Sequence, residues 1–423
     1  MYSAAVRLLQ ALADVAPAGE SKFARALRAR RGLLASYAEW GSRERDPSRP
    51  LLWLHAPSVG EALQAQPVLQ LLRERNPEVQ LAYTFFSPSA EPFAQRIPAD
   101  FRAYLPFDHE RDCAAAIAAL APTALIFSKA DVWPNLVASA DAGGAAIGLI
   151  SATVPEGSLR LTGAAVSLMR STFAALDVAG AIDEGDAKRL ITMGVDPARV
   201  VVTGDTRFDQ VWERAARPPQ EVVTRLVSDR PTLVAGSTWP TDEDVLLPAV
   251  WAVRRANPEF RLVIAPHEVT PARVQGLRDA VRGAKAGLLS QGPTDTDVVI
   301  VDGYGLLGDL YSLADIAFVG GGFHRAGLHS VLEPAAFGAP VLFGPFHRKS
   351  RDAHLLLHAG GAVSVSNRDG LTKALLEWIE SDDRRARAGS AARETVRAGL
   401  GAAERTYAVV AGLLELTGRA RPR

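Results

Sequence analysis

The chain has a single cysteine, Cys113, in 423 residues, and no excess of either charge: Lys plus Arg and Asp plus Glu number 47 each. One thiol excludes an internal disulfide and a cysteine-rich metal site, and suits a reducing compartment such as the cytoplasm. An alanine-rich apolar run follows Cys113, so packing in a helix is expected of it rather than catalysis. Balanced charge leaves no global field to steer the protein toward nucleic acid. No apolar run approaches the about 18 residues that read as a bilayer-crossing helix. Neither His267 with Glu268 nor His324 with His329 has the spacing of a zinc-binding helix motif, so neither a metal nor a cofactor is expected. A repeat with a period of roughly 20–50 residues, the mark of a solenoid, is also missing.

What is present is enough apolar material, 48% of residues, for two full cores, and a length that suits two domains of about 200 residues. Short apolar runs bounded by glycine, proline or serine alternate with helical patterns. In the first half, strands are expected at 50–55, 79–86, 101–105, 124–127, 146–150, 178–182 and 200–202. The pattern weakens over 207–231, which contains Arg217, Pro218 and Pro219, and then restarts. Strands at 232–235, 261–265, 298–301, 316–319 and 340–343 follow, with closing helices at 371–380 and 391–416. This alternation predicts an α/β fold of two Rossmann-like, doubly wound parallel-sheet domains, with a cleft between them that the strand ends face. The expected division is a helical segment at 1–45, an acceptor-side domain at 46–210, a linker at 211–230 and a donor domain at 231–423.

Residues 1–13 carry Ala5, Leu8, Leu9 and Leu12 at helical spacing, and Lys22, Arg25, Arg28, Arg30 and Arg31 follow. A signal peptide would put its charges first and needs a longer apolar core. Two readings stay open: an interfacial helix with a basic flank, giving a peripheral membrane contact, or a helix packed on the first domain.

The densest stretch is 316–345. An apolar strand runs into Gly320, Gly321 and Gly322, and a helix is expected from about Ser330 to Phe337, with Gly338 as its stop. Glycines allow the backbone a tight turn and close approach to a ligand, and a helix N-terminus favours phosphate. His324, Arg325, His329, Ser330 and Glu333 crowd this strand end, where open α/β sheets place ligands. A carboxylate at Glu333 suits a ribose diol, so a nucleotide-sugar site is expected here. The basic cluster His347, Arg348, Lys349 and Arg351 reads as a solvated loop, with a phosphate or anionic-lipid contact as the alternative.

Five motifs occur in order: His-Ala-Pro-Ser-Val-Gly-Glu ending at Glu61, Val-Trp-Pro-Asn at 132–135, Thr-Gly-Asp-Thr-Arg-Phe-Asp at 203–209, Ala-Gly-Ser-Thr at 235–238 and Leu-Glu-Pro-Ala at 332–335. Together they resemble the 3-deoxy-D-manno-octulosonic acid (Kdo) transferases. The resemblance implies a two-domain GT-B glycosyltransferase that moves Kdo from CMP-Kdo to a lipid A precursor, with inversion and without metal. It makes Glu61 the general base, and the first turn of a helix at a strand end suits that role. It implies acceptor contacts at Ser58, Gly60, Lys129, Asp131 and Trp133. Donor contacts are implied at Arg207, Ser237, Thr238, His267, Gly305, Leu306, Leu307, Gly322, His329, Ser330 and Glu333. The expected partners are thus a nucleotide-sugar donor and a lipid or glycan acceptor at the cytoplasmic face of the inner membrane.

The chain also departs from the family. The family's Glu-Thr-Glu-Leu-Trp-Pro-Asn is Lys-Ala-Asp-Val-Trp-Pro-Asn at 129–135, so a cation stands where a carboxylate is usual. Its Asn-Ala-Arg is Ser-Ala-Thr at 151–153, its Pro-Arg-His is Pro-His-Glu at 266–268, and its Met-Gly-Glu-Leu is Tyr-Gly-Leu-Leu at 304–307. Its Gly-His-Asn-Pro-Leu-Glu-Pro is Leu-His-Ser-Val-Leu-Glu-Pro at 328–334. Donor and acceptor identity therefore stay open. The alternatives are a GT-B enzyme using a UDP-sugar, as transferase or 2-epimerase, and a catalytically silent GT-B binding protein.

Overall fold

A computed structural model of the chain describes residues 22–158, 161, 163–281, 283–292 and 296–416. It contains two compact units, one built on residues up to Gln210 together with the stretch from Gly401, the other on Val211–Leu400. The first unit holds β1 (Leu51–His55), β2 (Gln80–Phe85), β3 (Phe101–Tyr104), β4 (Ala124–Ser128), β5 (Ala146–Ala152), β6 (Val178–Ala181) and β7 (Val200–Val202). All pair in parallel in the order β3-β2-β1-β4-β5-β6-β7. Strands β1, β2 and β4 are buried along their whole length, as near-continuous apolar runs covered by helices on both faces must be.

The second unit repeats the plan. It holds β8 (Thr232–Thr238), β9 (Arg261–Pro266), β10 (Ala286–Leu288), β11 (Val298–Ile300), β12 (Ile316–Val319), β13 (Val341–Phe343) and β14 (Ala362–Ser364). Their order is β10-β11-β9-β8-β12-β13-β14, again parallel. The strand order reverses at β1/β4 in the first sheet and at β8/β12 in the second, where β11 is also inserted between β9 and the edge strand β10. These are the points where open α/β sheets expose strand ends to ligands.

The expected strands are all present, while the edge strands β10 and β14 were not anticipated. Three other expectations change. The closing helix at 391–416 is two helices, Asp382–Ala398 and Ala402–Leu416, because Gly401 takes a left-handed φ of 84° between them. The second of these packs on the first unit rather than the second: Val410 and Leu413 lie in the first unit's core, with Leu413 against Gly148 of β5. Asp209 accepts hydrogen bonds from the Gly401 and Ala403 N–H groups (2.8 and 2.9 Å) and so caps its start. The expected linker is docked, with Val223 and Leu226 buried in the second unit's core.

The helical segment before β1 also belongs to the first core. Its helix Leu33–Arg43 buries Tyr37 and Trp40, and Tyr37 meets Phe101 edge-on at 4.8 Å. Of the basic flank, Arg30 turns inward, donating to the carbonyls of Leu105 (2.9 Å) and Phe86 (3.2 Å). Burial lowers its pKa to about 10, which leaves it charged at neutral pH. The apolar residues Ala5, Leu8, Leu9 and Leu12 lie outside the described residues. Among the described residues, no helix is long and apolar enough to cross a membrane. Cys113 is buried, and burial and then Asp108 push its thiol far up, as packing rather than reactivity requires.

Candidate active site

In the first unit β1 ends at His55, and Ser58 opens the helix Val59–Arg75 that follows. Glu61 thus falls in the first turn, beside the free N–H groups of the helix start. Its two oxygens are both engaged: Oε2 accepts from the Ser58 hydroxyl, and Oε1 lies 2.9 Å from the Lys129 ammonium. The Glu61 side chain keeps 14% of its surface and Lys129 35%, so the pair is reachable from solvent. Lys129 follows β4 directly and holds a left-handed φ of 60°, fixed by its N–H donating to the Ile150 carbonyl (2.9 Å). That conformation is costly for a residue with a side chain and marks a turn held by its surroundings.

The wall beside this pair is aromatic. Trp133 stacks on Phe86 at 5.4 Å, and the Arg30 guanidinium lies 4.1 Å from the centre of the Phe86 ring. The Trp133 indole N–H donates to Asp131 (3.3 Å), whose carboxylate is 3.7 Å from Nε2 of the buried His55. The structure therefore gathers Ser58, Glu61, Lys129, Asp131 and Trp133 at the β1/β4 reversal. Gly60 is exposed, and a Cβ there would meet nothing nearer than Ser58 Oγ at 3.8 Å. Packing therefore does not demand this glycine.

One turn further along the helix, Gln64 donates to Asp205 (3.3 Å), and Thr206 donates to the Gln64 carbonyl (2.6 Å). Arg207, expected at the donor, lies in this first unit, with Nη2 2.5 Å from Asp205. Burial works against the Asp205 carboxylate, but Arg207 beside it prevails and holds it below the usual range.

The second unit's groups collect where β8, β9 and β12 end. Gly320 to Gly322 pack backbone against backbone. A Cβ on Gly320 would lie 2.2 Å from the Ser237 carbonyl oxygen, and one on Gly322 2.3 Å from Gly344 N. Asp242, fully buried in the first turn of the helix Pro240–Ala256, ties this loop down. It accepts from the N–H groups of Trp239 (2.9 Å), Gly321 (2.7 Å) and Phe323 (2.9 Å). The helix expected at 330–337 is only Leu332–Ala336, and its start is separated from the glycines by a long loop. The phosphate grip of a glycine turn feeding a full helix is thus not the geometry formed.

Rings take its place. Trp239 stacks on His324 (4.2 Å, 9°) and on His267 (4.5 Å, 24°), and His267 stacks on His329 (4.5 Å, 26°). Burial, then His267, lowers the pKa of His329 to about 4, so it is neutral at physiological pH. Thr238 donates to Glu243 (2.7 Å), and Ser237 adopts a left-handed φ of 54°. Ser330 and Arg325 are exposed.

Glu333 sits with a second group. The Leu307 side chain and the Tyr311 hydroxyl fill the space a Cβ on Gly236 would need. Burial raises the Tyr311 phenol well above its usual range, and the Glu333 charge adds to this. Burial raises the Glu333 carboxyl, against the attraction of Arg214. Arg214 bonds the Gly305 carbonyl (3.4 Å) and pairs with Asp309 (3.1 Å), while Leu306 is half-buried beside this turn. Ring packing places His347 on Phe343 (5.2 Å) and His354 (5.4 Å), while Arg348 and Lys349 are exposed. Among the described residues, no three His, Cys, Asp or Glu side chains gather as they would around a metal ion.

Sequence reasoning missed Trp239, Asp242 and the Gln64–Asp205 link. Only Trp239 had a visible signal, an aromatic residue directly after the Ala-Gly-Ser-Thr turn.

Residues 25–210 match the family model described as 3-Deoxy-D-manno-octulosonic-acid transferase (kdotransferase). The 3-deoxy-D-manno-octulosonic acid transferase of Bordetella pertussis is 30% identical over 88% of this chain and 89% of that protein. The transferase of the same name from Haemophilus influenzae is 26% identical over 92% of each. Among solved structures, the UDP-GlcNAc 2-epimerase from Neisseria meningitidis superposes with a TM-score of 0.62. It covers 86% of this chain and 99% of its own, at 16% identity. A glycosyltransferase from Rickettsia africae gives 0.57, at 11% identity, over 88% of this chain and 100% of its own. These structural likenesses establish the GT-B fold.

Proposed function

Because the chain belongs to the 3-deoxy-D-manno-octulosonic acid transferase family, and so is a glycosyltransferase of that kind, we propose that it moves a 3-deoxy sugar acid from a CMP-activated donor to a lipid A-type or other lipid or glycan acceptor, with Glu61 as general base. The observation that carries this is the Ser58–Glu61–Lys129 arrangement at the strand-order reversal of the first sheet. Each carboxylate oxygen has two lone pairs, so Glu61 can be oriented by Ser58 and Lys129 and still accept a proton. It takes that proton from the acceptor hydroxyl as the oxygen forms its bond to the anomeric carbon. The bond from that carbon to the phosphate oxygen breaks, and its electron pair leaves with CMP. Attack opposite the leaving group inverts the anomeric centre, and no metal takes part.

In the second unit, Ser237, Thr238, Gly322 and the ring column are the donor contacts, with Glu333 holding the ribose diol. We further propose a peripheral contact of the N-terminal segment with the cytoplasmic face of the inner membrane. A second reading, a binding protein without turnover, is favoured by the ammonium that already occupies one oxygen of Glu61.

The test is a transfer assay with CMP-Kdo and a lipid A-type acceptor, read by mass. A Kdo-bearing product with one CMP released per bond is expected. Turnover only with a UDP-sugar would overturn the donor, and no turnover with either would leave the binding-protein reading.

A further inference from the structure

The Trp239 indole N–H donates to Nε2 of His329 at 3.1 Å. An imidazole nitrogen can accept only if it carries no proton, so the proton of a neutral His329 must sit on Nδ1. A histidine side chain free in water favours the opposite tautomer, with the proton on Nε2. We propose that Trp239 is a positioning residue that fixes His329 as the neutral Nδ1–H tautomer, and that this N–H donates to an anionic oxygen of the nucleotide sugar. The ligand half of this rests on the second unit being the nucleotide-sugar half. The tautomer half does not.

The surroundings favour the same state. His267 at the end of β9 stacks on His329, and Trp239 is sandwiched with His267 and His324. Two further imidazoles and an indole thus crowd a ring already partly withdrawn from water, which disfavours a charge on it. Asp242 is the one carboxylate acting in the other direction. Its oxygens are taken up by the backbone N–H groups of Trp239, Gly321 and Phe323. The backbone N–H of His329 is anchored to the Gly320 carbonyl (3.1 Å). Both the ring and its attachment are thereby tied to the glycine turn. Among the described residues the ring makes no other hydrogen bond, which leaves its Nδ1–H for a ligand or solvent. A neutral N–H suits a phosphate or carboxylate oxygen that must be oriented without adding charge.

Side-chain nitrogen NMR of the full chain, labelled at histidine, reads the tautomer without any nucleotide. His329 is expected as Nδ1–H and uncharged from pH 8 to about 5. In Trp239→Phe, which keeps a ring but removes the indole N–H, the tautomer is expected to be lost. An Nε2–H tautomer, or protonation near pH 6.5, in the wild type would overturn the proposal. CMP titration gives the second readout. The amide nitrogen of asparagine imitates Nδ1 and that of glutamine imitates Nε2. His329→Asn is therefore expected to bind CMP within roughly threefold of wild type, and His329→Gln roughly tenfold more weakly, the range of one lost hydrogen bond. The reverse order would overturn the donor role. Absence of CMP binding by the wild type would overturn the nucleotide reading and leave the tautomer result to stand or fall alone.

Discussion

At the reversal of strand order, the first unit presents a carboxylate, an ammonium and a hydroxyl, whereas the second presents stacked rings and a run of glycines. Glu61 and Lys129 keep 14% and 35% of their side-chain surface. Asp242, which organises the second site, is fully buried and spends its oxygens on backbone N–H groups. The same architecture thus supports two physical strategies. On the proposed reading, the group that exchanges a proton is left accessible with its lone pairs only partly used. On the same proposed reading, the surface that holds the nucleotide is a rigid glycine turn faced by stacked rings.

Breaking the first strategy should cost most. General-base assistance is worth roughly 10²–10⁴ in rate, so Glu61→Gln is expected to lose about that much turnover in steady-state assays. Its melting temperature should hardly move, since the change is nearly isosteric.

Breaking the second should cost binding instead. Glu333→Ala is expected to weaken CMP roughly 10- to 100-fold by calorimetry, the range for hydrogen bonds to a charged group. Unchanged CMP affinity would remove Glu333 from the site. Glu333 also sharpens the contrast through pH. Its folded pKa is raised by burial, so between its unfolded and folded values the folded protein holds a proton that the unfolded chain has lost. Stability is then present at acid pH and falls as pH rises through the folded value. In urea unfolding, Glu333→Gln should match wild type below about pH 4, and exceed it increasingly toward neutrality.

A smaller effect is expected at Lys129. Its ion pair is partly exposed, so Lys129→Met should change stability by no more than about 1 kcal/mol. Turnover should fall more than stability does if the ammonium orients the base. The smallest effect concerns the N-terminal segment. Deleting residues 1–20 should reduce sedimentation with anionic vesicles at low salt and leave Arg30 and the first core in place. Equal partitioning of both forms would show that the segment makes no membrane contact.

The sheets were legible because each central strand is a short, nearly unbroken apolar run. The edge strands β10 and β14 were not, because half-exposed three-residue strands containing glycine or serine look like loop. The helix Ala402–Leu416 was legible as a helix but not in its destination, since an apolar face at Val410 and Leu413 does not say which core it enters. In the first site, Ser58 and Glu61 lie within one turn and could be read together. Lys129 is close to Glu61 only because β1 and β4 are neighbours, a fact carried by strand order. In the second site the glycines were visible, but the ring column depends on three strand ends meeting. The spacing of Trp239, His267, His324 and His329 carries no sign of that.

The division of labour between the two units is tested most directly by single-turnover transfer at saturating CMP-Kdo, comparing Glu61→Gln with Glu333→Ala. The account predicts that Glu61→Gln stays slow however much donor is supplied, while Glu333→Ala approaches the wild-type rate once donor is saturating. A Glu61→Gln variant that turns over at nearly the wild-type rate would contradict it.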